Sequence, residues 1–364
     1  MKSASSRFVR TRAETISPAK MITDAIIARL EAGVSPWRRT WATTRGYSGR
    51  PMRACGQPYR GINALWLWFV ADSNGYISPT WMTYRQASEL GGQVRKGERS
   101  TVAVFYKTYV ARDTAAGPNV YDGDDDRTRR VMKSYNVFNV AQIGGLPERF
   151  APPAPVVAEP GSPQDDAHRA EIDAFIAGTG ASIIHGGNEA CYYPGLDTIH
   201  LPQPATFDTC ADYGAIAAHE LTHWTGHKSR LNRDLVNRFG SDAYAAEELV
   251  AELGSALIGA DLGLPVTQLD NHASYINHWL RILRADERAL MTAGARAEEA
   301  ASCLLTRAGR GSTSGDDDTN EAAIGETPAT VEAVAAALGL PIDERPALGE
   351  WIAKSNAGVT QLAP

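Results

Sequence analysis

His219-Glu220-Leu221-Thr222-His223 has the residue types and spacing of a divalent-metal site. On a helix, positions four apart share a face, so two imidazoles there can hold one zinc ion. The glutamate beside the first histidine can take the proton of an attacking water, which makes Glu220 the candidate general base of a metal-assisted hydrolysis. A third ligand is required. Glu248 and Glu252 lie one helical turn apart in a second helical stretch, residues 245–252, and face the same way. That suits Glu248 as a ligand and Glu252 as a carboxylate steadying a ligand histidine from behind. Glu247 points about 100° away from Glu248 around the same helix and is the weaker ligand candidate. The competing reading is a surface helix with solvated glutamates; the two-His-one-Glu spacing of zinc hydrolases argues against it.

His227 invites a wrong assignment. A metzincin needs its third histidine six residues after the second, and Ser229 stands there. His227 is therefore expected near the site but not on the metal. Residues 192–202 read as a turn and a short strand, which either borders the cleft and pairs with an extended substrate or is an ordinary core strand. An oxyanion donor is expected from Tyr193, His272 or Tyr275, with nothing in the sequence to choose among them.

These residues need elements to hold them. Residues 208–224 form the helix that carries the two histidines. Asp208 or Thr209 can cap it, Ile216, Ala217, Leu221 and Trp224 supply an apolar face, and Gly226 is a natural stop. Ahead of it, residues 168–178 read as a helix. Behind it, residues 271–285 and 287–305 read as helices. In the first half, residues 19–32, 60–72 and 82–90 read as helices. Residues 101–110 and 131–140 alternate and are rich in Val, Phe and Tyr, so they are expected to pair as strands. The resulting division is a polar arm over 1–18, a first domain over 19–150, a Pro/Ala-rich linker over 151–167, a second domain over 168–308 and an acidic, low-complexity tail over 309–364 with a short helix near 327–338. The fold class expected is α+β, with an α+β first domain and a mostly helical second one.

Composition narrows the function. The chain has 364 residues and a net charge of −6. Residues 1–150 hold 23 Lys+Arg against 12 Asp+Glu, a balance of +11; residues 151–364 hold 13 against 30, a balance of −17. A basic half suits a polyanion partner. Opposite charges and the linker also suggest two separately folding halves that attract weakly. The four cysteines include no C-x-x-C, which argues for reduced thiols and against a disulfide frame or zinc knuckle. The longest aromatic-aliphatic run, 65–70, is too short to cross a bilayer, so a cytoplasmic protein with no membrane partner is expected.

In the basic half, cations alternate with aromatics: Trp37-Arg38-Arg39-Thr40-Trp41, Tyr59-Arg60, Trp81, Tyr84-Arg85, Arg95-Lys96-Gly97-Glu98-Arg99 and Tyr106-Lys107. Phosphates need cations, and unpaired bases need flat apolar faces, so the pattern suits single strands better than duplex. Any single Trp is more often a core residue than a stacking platform.

Taken together, the residues resemble a known family. Ile22-Thr23-Asp24, Pro36-Trp37, Pro58-Tyr59-Arg60-Gly61-Ile62-Asn63, Gly91-Gly92-Gln93-Val94-Arg95-Lys96-Gly97-Glu98 and Tyr135-Asn136-Val137-Phe138-Asn139 resemble the N-terminal single-stranded-DNA-binding domain of the ArdC antirestriction family. The run from His219 to His227, then Arg230-Leu231-Asn232-Arg233 and Glu247–Glu252, resembles that family's zincin-like metallopeptidase domain. The resemblance implies a protein that shields incoming plasmid or phage DNA from host restriction. It implies single-stranded DNA as partner, zinc or another divalent cation such as manganese as cofactor, and a host protein as substrate if the gluzincin-like domain cleaves peptides. The DNA contacts expected are Trp37, Arg38, Arg60, Asn63, Arg95, Lys96 and Arg99. Two other readings stay open: a DNA-coating protein whose metal site is structural or vestigial, and an accessory to a conjugative primase.

Overall fold

The computed structural model describes residues 16–34, 36–37, 49–110, 128–151, 163–233, 242–264 and 272–311. The arm over 1–15, Arg38, Arg39, Trp41, most of the linker, and the tail beyond 311 lie outside the described residues.

Helix α1 (Pro18–Glu31) starts where the Ser17 hydroxyl accepts from the Lys20 amide, and Pro18 fits the first turn. Strand β1 (Met52–Arg53) precedes α2 (Gly61–Asn74), which is buried along residues 61–71 because that stretch is almost wholly apolar. Strand β2 (Thr80–Met82), α3 (Tyr84–Glu89) and β3 (Gln93–Val94) follow, with a capping box between Thr83 and Gln86 at the start of α3. The expected strand pair is present as β4 (Thr101–Val110) and β5 (Thr128–Asn139), antiparallel, with Val102 opposite Asn136. The four-stranded sheet runs β1-β2-β5-β4, and β6 (Ile143–Gly144) pairs separately with β3. Helix α2 is pinned across β4 by side chains: Asn63 bonds both the amide and the carbonyl of Val104, and the Trp66 indole donates to Val102 O.

The second half opens with α4 (Pro163–Thr179), which begins inside the segment expected to be linker. Strands β7 (Ser182–His185), β8 (Cys191–Tyr193) and β9 (Thr198–Leu201) form a small sheet with β9 in the middle, so β8 is an edge. Helices α5 (Cys210–Thr225), α6 (Asp242–Leu262), α7 (His272–Ala285) and α8 (Ala289–Arg307) complete it. The class is α+β, and the second half is mostly helical.

The two halves are not independently packed. One core cluster runs from Ile22, Leu30 and Trp66 to Leu221, Leu257 and Trp279. The α2 and α8 backbones meet at glycines: a Cβ on Gly61 would stand 3.4 Å from Gly294 O, and one on Gly294 would stand 3.2 Å from Ile62 N. Beside this contact the buried Arg50 guanidinium bonds Asp261 of α6 at 2.9 Å and Glu298 of α8 at 2.7 Å. Opposite overall charge suggested loose attraction between separate bodies; apolar continuity and an ion cluster around the buried Arg50 join them instead.

Candidate metal centre and nucleic-acid face

Helix α5 is capped by Thr209, whose hydroxyl accepts from the Asp212 amide, and it ends at Gly226. That register places His219 and His223 on the side facing α6. The close approach of the two helices depends on Gly254, where a Cβ would stand 2.6 Å from Thr222 Cγ2. With the helices this near, Glu248 reaches both histidines: its two carboxylate oxygens lie 3.6 Å from His219 Nε2 and 3.6 Å from His223 Nε2. One ligand atom from each of the three residues falls within 4.8 Å of the others, the only such group among the described residues.

The donor set fits a divalent cation. Burial pushes the Glu248 carboxyl up, but hydrogen bonds and charge from His219, His223 and Tyr244 outweigh it and hold it well below the usual carboxylate range. Burial pushes the His223 imidazole down, while Glu247, Glu248 and Glu220 raise it further, to about 9. The three carboxylates around His223 favour a positive charge at this point, such as a proton on the imidazole. A metal ion can do the same with two charges.

Glu220 is 6% exposed. Its charge raises both the His223 imidazole and the Cys191 thiol, so its carboxylate stands close to the metal group and to edge strand β8. Glu252 comes no nearer than 3.9 Å to His219 Nδ1, beyond hydrogen-bond reach, and that nitrogen has no hydrogen-bond partner. Glu247, set aside as a ligand in the sequence, stays off the ligand group but meets His223 Nδ1 at 3.3 Å. Its role depends on how α6 turns against α5, which side-chain spacing within α6 does not report.

His227 is not a member of the ligand group. Its Nδ1 meets Ser229 Oγ at 2.8 Å. Nearby, the Arg230 guanidinium lies 3.7 Å over the Trp224 ring and bonds Asp197, which also accepts from the Tyr192 hydroxyl. This knot ties the end of α5 to the β8–β9 turn and fixes the edge strand beside the metal group. Of the three oxyanion candidates, Tyr193 is 41% exposed on β8 against His200, and the side chain of His272 lies outside the described residues. Tyr275 is hydrogen-bonded to Tyr244, which in turn bonds Glu248. Tyr244 precedes Glu248 by four residues on α6, so the helical period that puts Glu248 and Glu252 on one face puts Tyr244 there too.

On the basic half, two expected contacts are corrected. Trp37 is 3% exposed and packs edge-on against Trp279 at 5.8 Å, so it offers no face to a base. Asn63 is spent on the Val104 backbone. Arg60 lies 3.4 Å from Glu298 and is partly exposed. Arg95, Lys96 and Arg99 are exposed around the turn after β3, where Arg95 pairs with Glu98 at 2.9 Å. Arg38 lies outside the described residues. Trp81 and Tyr59 are buried, whereas Tyr84 is 53% exposed and receives a hydrogen bond from Gln93. Among the described residues, no helix is long and apolar enough to cross a membrane.

Both halves of the chain are similar to known proteins. Residues 17–138 match the N-terminal domain of anti-restriction factor ArdC, and residues 170–296 match a zincin-like metallopeptidase domain. The protein y4eC of Sinorhizobium fredii (strain NBRC 101917 / NGR234) is 43% identical over 287 residues, covering 77% of this chain and 89% of that one. The DNA primase TraC of Escherichia coli is 36% identical over 294 residues, 77% of this chain but only 26% of the primase. The metal-free crystal structure of antirestriction ArdC protein from the R388 plasmid is 41% identical, with TM-score 0.67, covering 82% of this chain and 100% of that one. The Mn(II)-bound structure of the same protein matches with TM-score 0.64 and 41% identity over 80% of this chain and 98% of that one. A zincin-like domain and a manganese-bound relative both speak for a divalent metal.

Proposed function

Because this chain belongs to the ArdC antirestriction family, we propose that it binds single-stranded DNA through its basic half and shields incoming plasmid or phage DNA from host restriction. The observation that carries this reading is the match to the whole length of the R388 ArdC chain at 41% identity. The exposed Arg95, Lys96 and Arg99, with Arg60, supply cations for phosphates. Tyr84 takes the stacking role in place of Trp37.

The reading extends to a metal centre held by His219, His223 and Glu248, with zinc or manganese as the ion. Such an ion supplies Lewis acidity toward a peptide carbonyl. Glu220 would take a proton from the attacking water and deliver it to the departing amine. Edge strand β8 offers unpaired backbone groups to an extended peptide. Tyr275, hydrogen-bonded to Tyr244, is the oxyanion donor this reading favours. Any peptide substrate would be a host protein.

The test is plasmid transfer into a restricting host, with wild type and Glu220→Gln, alongside DNA titrations of both proteins. Wild type should protect the plasmid and prefer single strands to duplex. Protection by coating leaves Glu220→Gln equal to wild type in both assays. Protection by proteolysis leaves its DNA affinity intact and removes protection. Equal wild-type affinity for duplex and single strand would count against the DNA reading.

A further inference from the structure

The side chain of Arg233 is 3% exposed, so this cation is almost wholly removed from water. Its guanidinium donates to Glu247 through Nη2 at 2.8 Å and Nε at 3.1 Å, to Thr225 Oγ1 at 2.9 Å and to Thr222 O at 2.7 Å. Thr222 and Thr225 lie on α5 itself, in the turn that carries His223. Glu247 lies on α6 and meets His223 Nδ1 at 3.3 Å. Glu247 already accepts two N–H bonds from the Arg233 guanidinium, so its carboxylate faces His223 as an acceptor. The proton of the contact therefore sits on His223 Nδ1. In the neutral imidazole this leaves the Nε2 lone pair facing Glu248, where the ligand atoms converge.

His219 has no such support. Its Nδ1 is buried and lacks a hydrogen-bond partner, with Glu252 3.9 Å away. The two candidate ligand histidines are thus held unequally.

We propose that Arg233 and Glu247 are positioning residues for the metal centre: Arg233 fixes the Glu247 carboxylate, and Glu247 fixes the tautomer and ring plane of His223. His223 is the preset ligand and His219 the one that adjusts. A buried bidentate guanidinium is suited to this because its planar fork orients a carboxylate, which a lysine ammonium cannot do. Arg233, which follows α5 in the chain, thereby acquires a role at the candidate ligand group.

The inference rests on the metal reading above, and the experiment separates the two. Full-length protein, stripped of metal, is titrated with Zn(II) against a fluorescent chelator, and the d–d absorption of Co(II) is recorded. Glu247→Gln should weaken Zn(II) binding about 10- to 100-fold and alter the Co(II) spectrum, while Glu252→Gln changes affinity less than about threefold. Arg233→Lys should fall between wild type and Glu247→Gln. Metal-free thermal melts of each variant show whether the fold is kept. Full Zn(II) occupancy in His223→Ala would sink the metal reading itself. If His223→Ala loses the metal but Glu247→Gln binds within about threefold of wild type, only the positioning role falls. A Glu252→Gln loss as large as that of Glu247→Gln would overturn the inequality. Nitrogen-15 NMR of histidine in zinc-loaded wild type needs no variant to fold. The expected result is a protonated His223 Nδ1, and a protonated Nε2 overturns the proposal.

Discussion

Gly254→Ala isolates the geometry on which the centre depends. In an exposed helix this exchange stabilises by about 1 kcal/mol, because alanine is the better helix former. Here the added Cβ would stand 2.6 Å from Thr222 Cγ2 and 2.9 Å from Thr222 Oγ1. Ordinary carbon contacts begin near 3.5 Å, so the shortfall is about 1 Å. Thr222 cannot easily yield: it is fully buried, and its hydroxyl donates to Ala218 O at 2.8 Å. Helices α5 and α6 must separate, at a cost of about 1–3 kcal/mol for overpacking, which exceeds the propensity gain. The same separation moves Glu248 from His219 and His223, and metal coordination tolerates only about 0.2 Å. Gly254→Ala should therefore lower the melting temperature of the metal-free protein and weaken Zn(II) binding at least about tenfold in chelator competition. Adding Thr222→Ala removes Cγ2 and Oγ1 and leaves Thr222 Cβ as the nearest atom at 3.4 Å, an acceptable contact. The double variant should recover most of both losses, a coupling readable as a double-mutant cycle. A Gly254→Ala protein that melts higher than wild type, or binds zinc equally well, would refute the reasoning.

Other outcomes follow from the same structure. Arg50→Met removes a buried cation from the partly exposed Asp261 and from Glu298, which keeps Arg60 and the Gly61 amide, and should cost about 1–3 kcal/mol, lowering one shared melting transition instead of one of two; a calorimetric trace with two independent transitions would speak against the joined core. Tyr84→Ala should weaken single-stranded DNA binding by about 1–3 kcal/mol with the salt slope unchanged, while Lys96→Ala should reduce that slope by about 1; fluorescence titrations at several salt concentrations check both. His223 is raised from 6.5 to about 9 without metal, so metal binding near neutrality must displace its proton. Zinc affinity should rise with pH up to about 9 and level off above it, with close to one proton released per metal in calorimetry across two buffers. The stability that protonated His223 lends the metal-free fold runs the other way: full below about 6.5, it is lost as pH rises through about 9. Melts of stripped protein across that range would detect it.

What was legible in the sequence was local. The His-Glu-x-x-His spacing, a cap at Asp208 or Thr209 and the Gly226 stop all belong to one helix, where 3.6 residues per turn decide which side chains share a face. The pairing of β4 with β5 was readable for a similar reason, since strand alternation has a period of two. Helix α4 starts earlier than expected because proline is tolerated in a first turn, and Pro163 occupies the first position in α4.

The sequence by itself determined the His-Glu-x-x-His helix, the α+β class and the charge contrast between halves. Only the tertiary structure decided that Glu247 and not Glu252 bonds a histidine of the candidate ligand group, and that Arg233 stands behind it. It also decided that Trp37 belongs to the core on Trp279 while Tyr84 faces outward, and that the halves share one interior. The physical reason is common to all four. Helical and strand periods assign a side chain to a face, but what that face meets is set by how closely two elements approach. Here that approach is decided by a missing Cβ at Gly254 and by facing glycines at Gly61 and Gly294.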